Sequence, residues 1–158
     1  MQHFQIGVVV AKRKLKSIWQ DHMFIAHSVL PEPPETPIGS SLGVIGDDEL
    51  FYGGAHELRI YTGETGHYRD NLLSGDPSIW VGVNAIGEVT AVAIDPYEGE
   101  ALVTNNIDDV IERLPMPQNL QATLAAFFEV HHVEHTFIKR KRNKFNSEDR
   151  KFEGKDDA

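Results

Sequence analysis

Residues 78–95 read SIWVGVNAIGEVTAVAID. Ile79, Val81 and Val83 alternate with Ser78, Trp80 and Gly82, which is the period of a strand whose side chains fall on opposite faces. Asn84 to Gly87 supplies turn chemistry, and Val89 to Ile94 then returns, so this stretch predicts an antiparallel hairpin ending at Asp95-Pro96-Tyr97. The same period governs most of the chain before it. Phe4, Ile6, Val8 and Val10 predict one strand and Met23 to Leu30 another, halted by Pro31, Pro33, Pro34 and Pro37, which cannot donate to a ladder. Short strands are expected at Leu42 to Ile45 and Glu49 to Tyr52, separated by Gly46-Asp47-Asp48, with others at Glu57 to Thr62 and Tyr68 to Leu73.

After Asp95 the period changes. Asn106 is positioned to cap a short helical turn over IDDVIERL, where Asp108 and Asp109 suit a first turn. Pro115 and Pro117 lead into one long helix, about 118 to 135. There Leu120, Leu124, Phe127, Phe128 and His131 form a single stripe fit to pack on a sheet. The expected fold is α+β and mainly antiparallel: a barrel or curled sheet capped by one C-terminal helix, with a pleckstrin-homology-like arrangement as one form of it.

The length of 158 residues and a hydrophobic fraction of 41% suit one globular domain, read here as residues 1–142. Residues 143–158 are polar and mixed in charge, and predict a disordered tail. The absence of cysteine excludes disulfides, thiolate metal sites and a cysteine nucleophile. No run approaches the roughly 18 apolar residues of a membrane helix, and the N-terminus does not read as a signal peptide, so the expected location is the cytoplasm. Of the 15 basic residues, eight lie from Lys139 onward; residues 1–138 carry seven basic and 19 acidic side chains, a net of −12. Such a body repels phosphate, which argues against a general nucleic-acid binder. Lys139, Arg140, Lys141 and Arg142 read either as a solubilising tail or as a docking site for an acidic partner.

Catalytic templates are incomplete. In EVHHVEHTF, His131 and His135 stand four apart on a helix, the spacing of zinc helices, but the residue after His131 is His132 and the HExxH order is missing. A third ligand would have to come from His3, His22, His27, His56 or His67, and His22 completes one candidate set; capping and packing are the competing role for the helix histidines. No phosphate-binding glycine loop and no GxSxG elbow occurs. Arg59 and Arg69 suit anion binding or pairing with surface acids. The lead-in Trp19, Gln20, Asp21 and His22 groups an indole, an amide, a carboxylate and an imidazole. It reads either as a Trp-anchored turn locking the first strand connection or as an outward docking surface.

KSIWQDH, followed by Phe24 and SVLP, resembles the signature of a proteobacterial family catalogued as a domain of unknown function, number 3305. IGVVVAKRKL, GHYRDNLLSGDPSIWV, PYEGEAL, IERLPMPQNL and FFEVHHVEHTFIKRKR extend the resemblance over nearly all of residues 1–142, although the family pattern carries proline at the position of Ile18 and arginine at that of Ile25. Genes of this family tend to lie beside those for molybdenum- or tungsten-dependent formate dehydrogenases, and some members are linked to molybdopterin guanine dinucleotide biosynthesis. The resemblance thus implies a non-enzymatic accessory or maturation factor whose partner is a dehydrogenase subunit or maturation protein, with no resident cofactor and no catalytic residues to carry over. Two further readings stand beside it: a metal protein built on the histidines, and a module holding a pterin or nucleotide between Trp19 and Trp80.

Overall fold

The computed structural model describes residues 2–131, so the expected domain end near residue 142, the tail at 143–158, His135 and Lys139 to Arg142 lie outside the described residues. Seven strands form two antiparallel sheets. The first contains β1 (Gln2–Lys14), β2 (His22–Leu30), β3 (Ser41–Ile45) and β4 (Asp48–Ile60) in the order β2-β1-β4-β3. Helix α1 (Thr65–Leu72) leads to the second sheet, where β5 (Ser78–Val83) lies between β6 (Val89–Ala93) and β7 (Val110–Pro115). Helix α2 (Pro96–Asn105) connects β6 to β7, and α3 occupies 118–131. The fold is mainly antiparallel β with a C-terminal helix, as expected, but the sheets do not close into a barrel.

The strands form where β-branched residues can fill both faces. From Ile6 to Ala11 every residue of β1 is buried. Ile6, Val8 and Val10 enter the main core with Ile79, Val81 and Val83 of β5, whereas Val9 and Ala11 join a smaller cluster with Ile25 and Leu50. On α3, Leu120, Leu124 and Phe127 are buried in the main core, so the predicted stripe is observed. The opposite face of β5 is covered as well. Trp80 is 3% exposed, and a Cβ at Gly99 of α2 would stand 2.3 Å from its ring, so only glycine lets this helix lie on the indole. Arg113 stands over the same ring, 5.4 Å from its centroid.

Three expectations need correction. Residues 49–52 and 57–62 are not separate strands, since β4 continues through Gly53 and Gly54 as a bulge in its register with β1. Gly54 takes φ +100°, and a Cβ on Gly53 would lie 2.8 Å from Val10 Cγ2, so the glycines permit the bulge instead of ending the strand. Tyr68 to Leu73 is not a strand: α1 buries Tyr68 and Asn71 and exposes Arg69 and Asp70. IDDVIERL is not a helical turn, because Val110 to Pro115 pairs with Val83 to Ser78 and Leu114 enters the core. Asn106 instead ends α2, donating through Nδ2 to the Leu102 carbonyl at 3.1 Å.

Asn71, 1% exposed, joins these layers. Its Nδ2 donates to the carbonyls of Ser78 (2.9 Å) and Ile94 (2.8 Å), and its Oδ1 accepts from the Ser78 amide (2.9 Å). Asn71→Ala leaves three buried backbone groups without this partner. It is expected to lower unfolding free energy by about 3 kcal/mol, read as a fall in urea midpoint at constant slope, whereas Asn84→Ala in the exposed β5–β6 turn should cost about 1 kcal/mol or less.

At the other end of the first sheet, Arg13 reaches Asp48 through Nε at 2.9 Å and Nη2 at 3.1 Å. The hydrogen bond from Arg13 holds the Asp48 carboxyl below its ordinary range. A carboxylate depressed in the folded state contributes stability above its unfolded pKa and loses it as pH falls through the folded one. Asp48→Asn should therefore lower the melting temperature by about 2–4 °C near pH 7. The difference from wild type should close progressively below about pH 4.

Candidate functional site

The connection between β1 and β2 carries the lead-in singled out by sequence. Lys14 pairs with His22, and the chain between them is tied by the Leu15 amide donating to the Asp21 carbonyl at 2.9 Å and the Trp19 amide donating to Ser17 Oγ at 3.1 Å. Ile18 and Trp19 at its apex are 91% and 90% exposed. The expected inward Trp lock is thus incorrect: the main chain and Ser17 close the turn, and the ring is left in water. Gln20 and Asp21 are exposed as well. His22 is half-buried and edge-on to Phe24 at 5.2 Å, with Phe24 edge-on to Phe51 at 5.8 Å.

Beside the turn lies a groove of about 520 Å³ lined by Lys12, Lys14, Asp21, His22, Val44 and Glu49, among others. Its far wall belongs to β3, an edge strand on which every residue is exposed, including Leu42, Val44 and Ile45. Trp80 is buried against Gly99 and Arg113, and neither tryptophan lines the groove beside the turn, so Trp19 and Trp80 do not enclose a common ligand space.

A second concentration of chemistry was not assembled by sequence reasoning. A short 3-10 turn (Thr62–Glu64) feeds α1, and Asp95 stands at the entrance to α2. Asp95 uses Oδ1 to accept from the Tyr97 amide at 2.9 Å, capping α2, while its Oδ2 lies 2.7 Å from His67 Nδ1. Glu64 Oε2 lies 2.7 Å from the same nitrogen. The Tyr97 ring packs on the His67 ring at a centroid distance of 4.3 Å, and its hydroxyl donates to Asp70 at 3.2 Å. Glu64 and Asp95 open onto a cleft of about 300 Å³ shared with Glu57, Arg59, Tyr68 and Glu98.

The cleft is electrostatically one-sided. Desolvation against its wall, then repulsion from Asp95 and Glu64, pushes the Glu98 carboxyl above its ordinary range. Burial likewise raises the Tyr68 phenol, against the opposing effect of the Tyr61 amide that donates to it at 2.9 Å. Arg59 is drawn to Glu57 at 3.7 Å, the surface pairing expected of it, and His3 also meets Glu57.

Of the histidines proposed as ligands, His22 sits in the Phe24 stack and His131 packs on Phe127 at 4.4 Å; His135 is outside the described residues. Among the described residues, the side chains whose ligand atoms converge are Glu64, His67 and Asp95. Two local signals were present in the sequence: Glu64 and His67 have the i, i+3 spacing of neighbours on a helix, and Asp95-Pro96 followed by Glu98 is a helix start. Their meeting depends on tertiary closure across 28 residues.

Among the described residues no helix is long and apolar enough to cross a membrane. No curated protein and no solved structure matches the chain. A family model does, over residues 5–142. That span takes in the Trp19 turn, all of the first sheet but the opening residues of β1, the second sheet, and Glu64, His67 and Asp95 with the cleft beside them, and the chain belongs to the family described as Protein of unknown function (DUF3305).

Proposed function

We propose that this protein is a non-enzymatic accessory or maturation factor that engages a protein partner through the turn between β1 and β2. The observation that carries the reading is the 90% exposure of Trp19 in a turn tied by its own backbone. Tryptophan is prominent among the residues that anchor protein interfaces, and a turn whose main chain is already tied loses less freedom when a partner covers it. Ile18 extends the apolar apex, and Lys14, Lys16 and Asp21 surround it with charge of both signs, the pattern of an apolar centre with a polar rim.

The partner proposed is a subunit of a molybdenum- or tungsten-dependent formate dehydrogenase, or a protein of its molybdopterin pathway, acting in the cytoplasm. Support comes from the gene neighbourhood of the family that KSIWQDH resembles. Lys139 to Arg142 would add a second, electrostatic point of attachment to an acidic partner.

Capture with the tagged full chain from formate-grown cells, read by mass spectrometry, is expected to recover such a subunit or pathway protein. The double variant Ile18→Ser, Trp19→Ala should lose at least about tenfold of that recovery. Its melting temperature should stay within about 1 °C of wild type, because neither side chain is buried. Recovery of no dehydrogenase or cofactor-pathway protein, or equal recovery by the double variant, would overturn the proposal.

A further inference from the structure

We infer that Glu64, His67 and Asp95 form a binding site for a single first-row divalent cation, with zinc the foremost candidate. This goes beyond the docking proposal and does not depend on it.

The donor set is one imidazole nitrogen and two carboxylate oxygens, His67 Nδ1 with Glu64 Oε2 and Asp95 Oδ2, drawn from the 3-10 turn, α1 and the entrance to α2. Both carboxylates stand 2.7 Å from that one nitrogen, and all three ligand atoms lie within 4.8 Å of one another. A neutral imidazole carries at most one proton on Nδ1, so a hydrogen bond to one carboxylate leaves the other facing the nitrogen without it. A cation about 2.0–2.2 Å from each atom would replace that shared proton, the two nitrogen–oxygen pairs opening from 2.7 Å toward the roughly 3.4 Å that separates tetrahedral ligands at such distances. Two carboxylates and a neutral imidazole also balance a divalent charge. Mixed nitrogen and oxygen ligation suits zinc, and the three side chains leave further coordination positions for water or a ligand.

Two of the ligands are held by contacts outside the trio, both of which run through Tyr97. Asp95 is fixed by the Tyr97 amide on its other oxygen and, one residue back, by Asn71 holding the Ile94 carbonyl. His67 is fixed by the Tyr97 ring. Glu57 and Glu98 add negative potential to the cleft beyond, while its Arg59 is turned toward Glu57.

The test uses the full chain purified without a polyhistidine tag, stripped with chelator and titrated with zinc chloride by calorimetry, with bound metal counted by elemental analysis. One equivalent is expected, together with a zinc-dependent rise in melting temperature. Asp95→Asn keeps a good helix cap and His67→Ala removes the nitrogen; each should weaken zinc by at least about 100-fold, beyond the 10–100-fold typical when a group that merely orients a ligand is lost. His131→Ala should leave this affinity unchanged. Absence of zinc binding, with Asp95→Asn changing stability equally with and without zinc, would identify the cluster as an ion pair only and overturn the inference. So would zinc binding that survives both variants or is lost with His131.

Discussion

The side chain of Asn71 is the constraint on which the second sheet and its cleft depend. One amide, 1% exposed, satisfies both backbone groups of Ser78 and the carbonyl of Ile94, so the start of β5, the exit of β6 and helix α1 are fixed relative to one another. A buried amide can hold three backbone groups in register because each partner would cost more unpaired than paired. The consequence reaches the residue after Ile94. Asp95 is aimed by that carbonyl, starts α2 with one carboxylate oxygen and meets His67 with the other.

Packing completes the arrangement. With its start set by Asp95, α2 crosses the outer face of β5, and Gly99 meets the Trp80 ring at a distance that excludes any side chain. Trp80 is thereby committed to the fold between α2 and Arg113. The two tryptophans of this chain therefore have opposite roles: one is a layer of the structure, and the other contributes nothing to its core.

The period of two along β1, β2 and the β5–β6 hairpin was legible because each strand presents an apolar face whose partner lies nearby in sequence or in the main core. The stripe on α3 was legible for the same reason at a period of 3.6. Helix α2 was missed. Asp95-Pro96 marks its start, but EGEALVTN presents no strong apolar stripe, since its contact with the sheet is made by the bare backbone of Gly99. β7 was misread because Asp108 and Asp109 fit a helix's first turn. What makes residues 110–115 a strand is pairing with β5, a contact absent from the local pattern, while Asp109 serves instead as acceptor for Thr90 Oγ1 at 2.9 Å. At the site, the chemistry of each residue was visible and its company was not. His67 could be named as a possible ligand with Glu64 three residues before it, but Asp95 becomes their neighbour only when α1 and the β6–α2 junction meet.

The two candidate surfaces rest on separate supports, and that separation bears on how each can work. The Trp19 turn hangs from the β1–β2 register and is closed by Leu15, Ser17 and Asp21. The His67 cleft hangs from Asn71 and the α2 cap. The bonds that close the turn and those that hold the cluster belong to different residues on different elements, so changes at the apex should leave the acidic cluster intact. A tryptophan positioned by backbone bonds instead of burial keeps its whole apolar surface for a partner without weakening the core when that partner leaves. Asp95, positioned by the Asn71 amide and its own helix cap, is held close to Glu64 across the His67 nitrogen, so the negative charge stays gathered at one point. Each surface thus has its exposure or its charge maintained by an interaction elsewhere in the fold, the condition under which a small domain can present reactive or adhesive groups and remain folded.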